Sequence, residues 1–275
     1  MKMNLILWKL LFLICSVGAV GCLCFSGWYV WQLRQAAIDL RNVRQAVEDT
    51  QEDEVSLEEI EQSAFSGMRE GAAAGIPEGV RDAEHHIDFE KLAQINPDLY
   101  AWIRIPGTQI DYPVAQREGD DEYYLNRDLY GKPRFAGCIY TEDENSKDFT
   151  DFNTVLYGHN MKNGSMFREL HLFEEADFFA EHEYFFIDTP DGVLVYRIFA
   201  AYSSDARHIL HSYDYKDQKV RQDYIDEILH VHSVNANLRS DVKLTPEDRI
   251  VTLSTCNHGQ TDQRYLVQGV LVREE

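Results

Sequence analysis

From Leu10 to Trp31 the chain runs for 22 residues without a charge, preceded by Lys2 and Lys9 and closed by Trp28, Tyr29 and Trp31. As a helix this run spans about 33 Å at ~1.5 Å per residue, enough for a hydrocarbon core of about 30 Å. The pattern predicts one membrane-spanning helix, N-terminus inside, with aromatic residues at the interface. Arg34, Arg41 and Arg44 beyond the run weaken the charge asymmetry. A cleaved signal peptide is the alternative, but the run is long and has no Ala-x-Ala end. Ala19-Val20-Gly21-Cys22 resembles a lipoprotein cleavage site, against which stand the mostly apolar residues that follow it.

Beyond the run the period becomes that of an amphipathic helix: Leu33, Ala36, Ala37, Leu40, Val43 and Val47 share a face, and the helical pattern extends to about residue 66. Glu48 to Glu61 holds eight acidic residues and no basic one, a solvated stalk or surface helix. Gly71, Gly75, Pro77 and Gly79 mark a linker. Ile87 to Ile95 fits a short helix stopped by Asn96-Pro97.

After residue 100 the pattern changes to short apolar strands. They are expected at 101–105, 110–114, 137–141, 154–157, 184–188, 193–202, 250–255 and 264–273. Thr189-Pro190-Asp191-Gly192 is a hairpin turn. About eight strands suggest a closed or nearly closed β-barrel. Only Lys216 to His232 interrupts them with helical spacing, through Val220, Tyr224, Ile225, Ile228 and Leu229. The domains read as 1–31, cytoplasmic tip and transmembrane anchor; 32–80, helical stalk and linker; and 81–275, a mainly β domain with added helices.

The net charge is −21, and the acidic excess lies wholly after residue 31. Such a surface disfavours nucleic acid and anionic headgroups. Of five cysteines, three lie in the apolar run, leaving Cys138 and Cys256. That is too few for a disulfide-stapled secreted domain and suits an enzyme with one free thiol. Cys138 reads as a small buried hydrophobe, although a Cys138–Cys256 disulfide also satisfies the count.

The candidate chemistry gathers at strand ends. Ile250-Val251-Thr252-Leu253 runs into Ser254-Thr255-Cys256, and Arg264 opens the next strand. A cation beside a thiol favours the reactive thiolate, and a fixed arginine stabilises an oxyanion in acyl transfer. The same residues also fit a buried structural cysteine beside a surface arginine. Thr154 to Tyr157 is another strand, ending in Gly158-His159-Asn160, and a cysteine paired with a histidine is an activated nucleophile. Asp262 fits either a partner of Arg264 or a group facing water. Cys256-Asn257-His258 lacks the companion pair a zinc site requires. His85, His86, His208, His211, His230 and His232 read as surface groups, and there is no cofactor fingerprint.

Four stretches resemble the class B sortases, cysteine transpeptidases of Gram-positive cell surfaces. They are Ile95 to Val114 (INPDLYAWIRIPGTQIDYPV), Tyr123-Tyr124-Leu125-Asn126, Tyr157 to Phe167 (YGHNMKNGSMF), and Thr252-Leu253-Ser254-Thr255-Cys256 with Arg264. The resemblance implies an eight-stranded sortase-type β-barrel with N-terminal helices and a long helix inserted before the nucleophile strand. It implies that Cys256 attacks the Thr carbonyl of a C-terminal sorting signal to form a thioacyl enzyme. His159 then acts as acid and base, and Arg264 holds the peptide or oxyanion. Leu125 and Ser254 match positions lining the substrate groove.

The implied partners are surface proteins bearing an NPxT-like sorting signal and a peptidoglycan precursor or cross-bridge amine. The implied location is the cell membrane, single-pass, with the catalytic domain outside, and no cofactor or metal is expected. Alternatives are a cysteine peptidase of the same fold, a pilus-assembly sortase, and a catalytically silent barrel module. Against the pilus enzyme stand the missing Asp-Pro-aromatic lid motif and the absence of a second apolar run before Glu275.

Overall fold

The computed structural model describes residues 5–48, 87–231, 233, 235–257 and 262–272. The acidic segment, the glycine-rich linker, His85, His86, His232 and His258 lie outside these residues. The chain divides into two compact units, Met1–Asn42 and Val43–Glu275.

Helix α1 spans Leu5–Glu48 without a break, so the apolar run and the first part of the expected stalk are one element. From Phe12 through Trp31 its large apolar side chains are exposed, and its length and composition suffice to cross a membrane. Its last turns belong to the second unit. There Val43 and Val47 are buried, and Arg44 pairs with Asp111 at 2.6 Å.

Helix α2 spans Phe89–Ile95 and starts one residue after Asp88, whose carboxylate accepts from Lys91 N. The strands are β1 Leu99–Arg104, β2 Asp111–Ala115, β3 Ile139–Tyr140, β4 Asn153–Tyr157, β5 Tyr184–Thr189, β6 Gly192–Asp205, β7 Asn237–Leu238, β8 Ile250–Cys256 and β9 Gln263–Leu271. Hydrogen bonding runs β5-β1-β2-β3-β4-β8-β9-β6, and β6 pairs back to β5. Eight strands therefore close on themselves as expected, which leaves no open edge in the ring. The additional strand β7, two residues long, adds to β6 beyond β5.

Several short elements carry no signal in the sequence pattern. These are 3₁₀ turns at Tyr123–Leu125 and Arg168–Glu174, helix α3 Ala176–Glu181 and helix α4 Ile209–Ser212. Helix α5, Gln218–Leu229, is shorter than the predicted 216–232. Asp217 caps its start by accepting from Lys219 N, and the backbone leaves the helix at His230.

α5 buries Tyr224, Ile225 and Ile228 against Phe152, Val155, Ile250, Leu266 and Val270 of the barrel. A buried polar network pins it there. Asn153 Nδ2 and Gln268 Nε2 both donate to Tyr224 Oη, at 3.2 and 2.7 Å. Thr252 Oγ1 donates to Asn153 Oδ1 at 2.8 Å, and Tyr202 Oη donates to Gln268 Oε1 at 3.1 Å. Every member has a partner, so the network holds α5 in one position over β4, β8 and β9.

Candidate active site

β8 is buried from Ile250 through Thr255 and emerges at its last residue, so that Cys256 is exposed. This excludes a buried structural cysteine. Across β8–β9, Cys256 stands directly opposite Arg264. Directly opposite residues project from the same face of a sheet, so thiol and guanidinium share one face. Ser254, two residues back on that face, is buried and pairs with Tyr157 of β4.

β4 and β8 run parallel with Tyr157 beside Ser254, and continuing this register sets His159 beside Cys256. Three contacts carry the alignment past the end of β4. Gly158 N donates to Ser254 O at 3.1 Å, Thr255 Oγ1 donates to Gly158 O at 2.7 Å, and Asn160 Nδ2 donates to Cys256 O at 2.8 Å. Gly158 has no room for a side chain. A Cβ there meets Ile139 Cδ1 at 2.6 Å and the Phe167 ring at 2.7 Å.

The His159 ring is oriented by Leu125, though not through the leucine side chain. His159 Nε2 lies 2.7 Å from the backbone oxygen of Leu125. A carbonyl only accepts, so Nε2 carries the hydrogen, and the ring's other nitrogen is left for chemistry. The Leu125 side chain is 37% exposed, which rules out a core leucine, and Phe135 faces the imidazole at a centroid distance of 6.1 Å, nearly parallel.

Gly137 sets the position of that carbonyl. It has φ +61, and a Cβ on it meets Tyr124 O at 2.5 Å and Leu125 O at 2.6 Å. Gly137→Ala is therefore expected to displace the Leu125 carbonyl. Turnover should fall about tenfold, because small misplacements of reacting groups are costly. Stability should fall by about 1–3 kcal/mol from the strained backbone. Steady-state kinetics and thermal melting check both.

Tyr140 stacks on Tyr157 at 5.5 Å. Burial pushes its phenol up, and it lies within the fields of both Arg264 and Cys256. Tyr157 Oη donates to Glu142 at 3.2 Å. His208 and His211, expected as surface groups, pair with Glu142 and Glu144 at 2.9 Å each. Burial raises the Glu142 carboxyl, while His208 pulls it the other way. These pairs tie α4 to the loop after β3. A cavity of about 220 Å³ lies beside β9, lined by Tyr202, Ser204, Ile209, Tyr213, Ile228 and Leu266 among others. Ser204 is the residue opposite Arg264 on β6.

Cys138 is buried and unpaired with Cys256, so the disulfide alternative is not formed. Asp262 is exposed, and its backbone oxygen accepts from Ala206 N. Among the described residues no group of three or more His, Cys, Asp or Glu side chains is placed to hold a metal. Phe135 and Tyr140 carry no signal in the sequence as parts of a site, whereas Asn160, directly after the candidate histidine, reads there as a residue that orients a loop, and its side chain is anchored on Cys256 O.

Comparison with known proteins extends the picture. The Sortase domain family model matches residues 103–272. Sortase B of Listeria monocytogenes is 31% identical over 206 residues, covering 74% of this chain and 80% of that protein. The crystal structure of Clostridium perfringens sortase B aligns with a TM-score of 0.61 at 30% identity, over 67% of this chain and 99% of the other. A Streptococcus pyogenes class B sortase involved in pilus biogenesis aligns with a TM-score of 0.58 at 32% identity, over 67% of this chain and 97% of the other.

Proposed function

We propose, from the premise that this chain belongs to the sortase family as a class B transpeptidase, that it cleaves a C-terminal sorting signal after Thr. The protein is then passed to a cell-wall amine. One observation carries the assignment of residues: Cys256 is exposed at the end of β8, opposite Arg264 on β9, with β4 running in register toward His159 on its other side.

In the first half-reaction the Cys256 thiolate attacks the Thr carbonyl, and the carbonyl electron pair moves onto oxygen. Arg264 stabilises that oxyanion. Collapse breaks the peptide C–N bond, and His159 donates a proton to the leaving amine. In the second half-reaction a peptidoglycan amine attacks the thioester, His159 takes its proton, and the thiolate leaves. Leu125 O, by fixing the His159 tautomer, has the part that a carboxylate plays in other nucleophile–histidine pairs. The exposed Leu125 side chain lines the groove in which the sorting signal lies, and Ser254, buried two residues before the thiol, lies at its floor.

The apolar part of α1, with Lys2 and Lys9 before it, anchors the enzyme as a single-pass membrane protein with the barrel outside. The sorting signal is of NPxT-like type. Similarity to a class B sortase involved in pilus biogenesis favours a second reading, in which the acceptor amine belongs to another pilin subunit. A peptidase of the same fold would use the same thioester and release it to water.

Product analysis separates these. With a pentapeptide library, mass spectrometry is expected to find an acyl adduct on Cys256. With a peptidoglycan cross-bridge amine added, the ligated product should exceed the hydrolysed one. Hydrolysis alone at saturating amine would exclude the transpeptidase, and ligation only to a pilin lysine would select the pilus enzyme.

A further inference from the structure

Asn160 lies one residue past the candidate histidine, and its backbone is taken up by an antiparallel bridge to Met166. The next rung of the β4–β8 ladder is therefore made by side chains. Asn160 Nδ2 donates to Cys256 O at 2.8 Å, and Arg168 donates to Asn160 Oδ1 at 3.1 Å, which fixes the amide in that orientation. His171 closes on the same oxygen, with Nε2 at 3.1 Å from Cys256 O and 3.0 Å from Asn160 Nδ2.

His171 is itself held on three sides. Its Nδ1 lies 2.6 Å from Glu174 Oε1, its ring stacks on Tyr265 of β9 at 4.9 Å, and its side chain is only 6% exposed. The 3₁₀ turn bearing both residues is tied to β7 by Asn237 Nδ2, which donates to Phe173 O and Glu174 O. A carboxylate accepts, so Nδ1 carries a hydrogen. When protonated, His171 donates directly to Cys256 O. When neutral, its Nε2 accepts from Asn160, whose other amide hydrogen stays on the carbonyl. In both forms the oxygen of the nucleophile residue is gripped.

We propose that His171, backed by Glu174, is a positioning residue. With Asn160 it holds the backbone carbonyl of Cys256 where the ladder ends, and so sets the thiol's place relative to His159. This rests on Cys256 being the nucleophile. The grip acts at the one residue of β8 that leaves the buried barrel, where no further backbone rung from β4 restrains it.

The test compares His171→Ala, His171→Gln and Glu174→Gln in the full chain in detergent. One probe is a fluorogenic peptide carrying the pentapeptide selected from the library by acylation of the wild-type enzyme. The other is iodoacetamide, with alkylation of the Cys256 peptide followed by mass spectrometry after digestion, because Cys15, Cys22 and Cys24 are also exposed thiols. His171→Ala is expected to lower kcat about tenfold with KM within about twofold, and to change the pH profile of Cys256 alkylation. His171→Gln keeps a donor toward the carbonyl and should recover most of the loss. Glu174→Gln should fall between. An unchanged kcat and alkylation profile in His171→Ala would overturn the proposal. So would a loss that tracks the melting temperature and is not recovered by Gln. Turnover surviving in Cys256→Ala would overturn the nucleophile assignment instead, independently of what alkylation reports.

Discussion

Cys256→Ala is expected to abolish both cleavage and transfer, a loss on the order of 10⁴-fold or more, while leaving the melting temperature nearly unchanged. The asymmetry follows from where the residue stands. β8 is buried through Thr255, and only at Cys256 does it reach solvent. Removing the sulfur therefore opens no cavity. The strand's register is kept by the rungs from Ser254 to Gly158 and from Asn257 to Gln263. Cys138 gives the opposite result. It is 6% exposed, and burial pushes its thiol up, away from the reactive form. Cys138→Ala should leave turnover intact and cost about 1 kcal/mol of stability. Peptide turnover followed by chromatography, beside thermal melting, distinguishes the two. Residual turnover above about 1% in Cys256→Ala would mean that another group attacks the substrate.

The barrel was legible because its strands are short apolar runs cut by strong turns. Thr189-Pro190-Asp191-Gly192 is an example, with Thr189 and Gly192 pairing across the two turn residues. Helix α5 was legible because Tyr224, Ile225 and Ile228 keep helical spacing and all three are buried. Its ends were not, since they depend on the Asp217 cap and on the backbone at His230. Elements of a few residues, such as β7 and α4, leave no periodic trace and form only because β6 and β4 are already there to receive them.

Side-chain chemistry was easier to see than backbone chemistry. Cys256, His159 and Arg264 stand at strand ends in the sequence itself. The carbonyl that orients His159 belongs to Leu125, whose backbone says nothing in a one-letter code. It is placed by the left-handed conformation of Gly137 twelve residues later. Asn160 and His171 likewise act on a backbone atom, the Cys256 oxygen, and their partnership exists only because the β4–β8 ladder runs out there. Resemblance to class B sortases pointed to Leu125 as a groove side chain. The structure adds its main-chain oxygen as the atom that touches the imidazole.

Arg264→Lys is expected to lower kcat/KM by about 10²- to 10³-fold, although it preserves the charge. Arg264 is half-buried on the face shared with Cys256, flanked by Ser204 on β6, with one terminal nitrogen donating to Gln263 O at 3.1 Å. That contact fixes one end of a planar guanidinium, whose donors form a rigid fork. An ammonium has no such division of labour. It cannot hold the Gln263 carbonyl and direct further donors at an oxyanion in fixed geometry. The loss should therefore fall mainly on kcat, because an interaction made with charge that develops in the transition state is absent from the bound substrate. Arg264→Ala should be at least as impaired as Lys. If Lys instead retains activity within about threefold while Ala does not, Arg264 serves through its field alone. The directional part of the assignment would then be lost, and a general cation beside the thiol would account for the site.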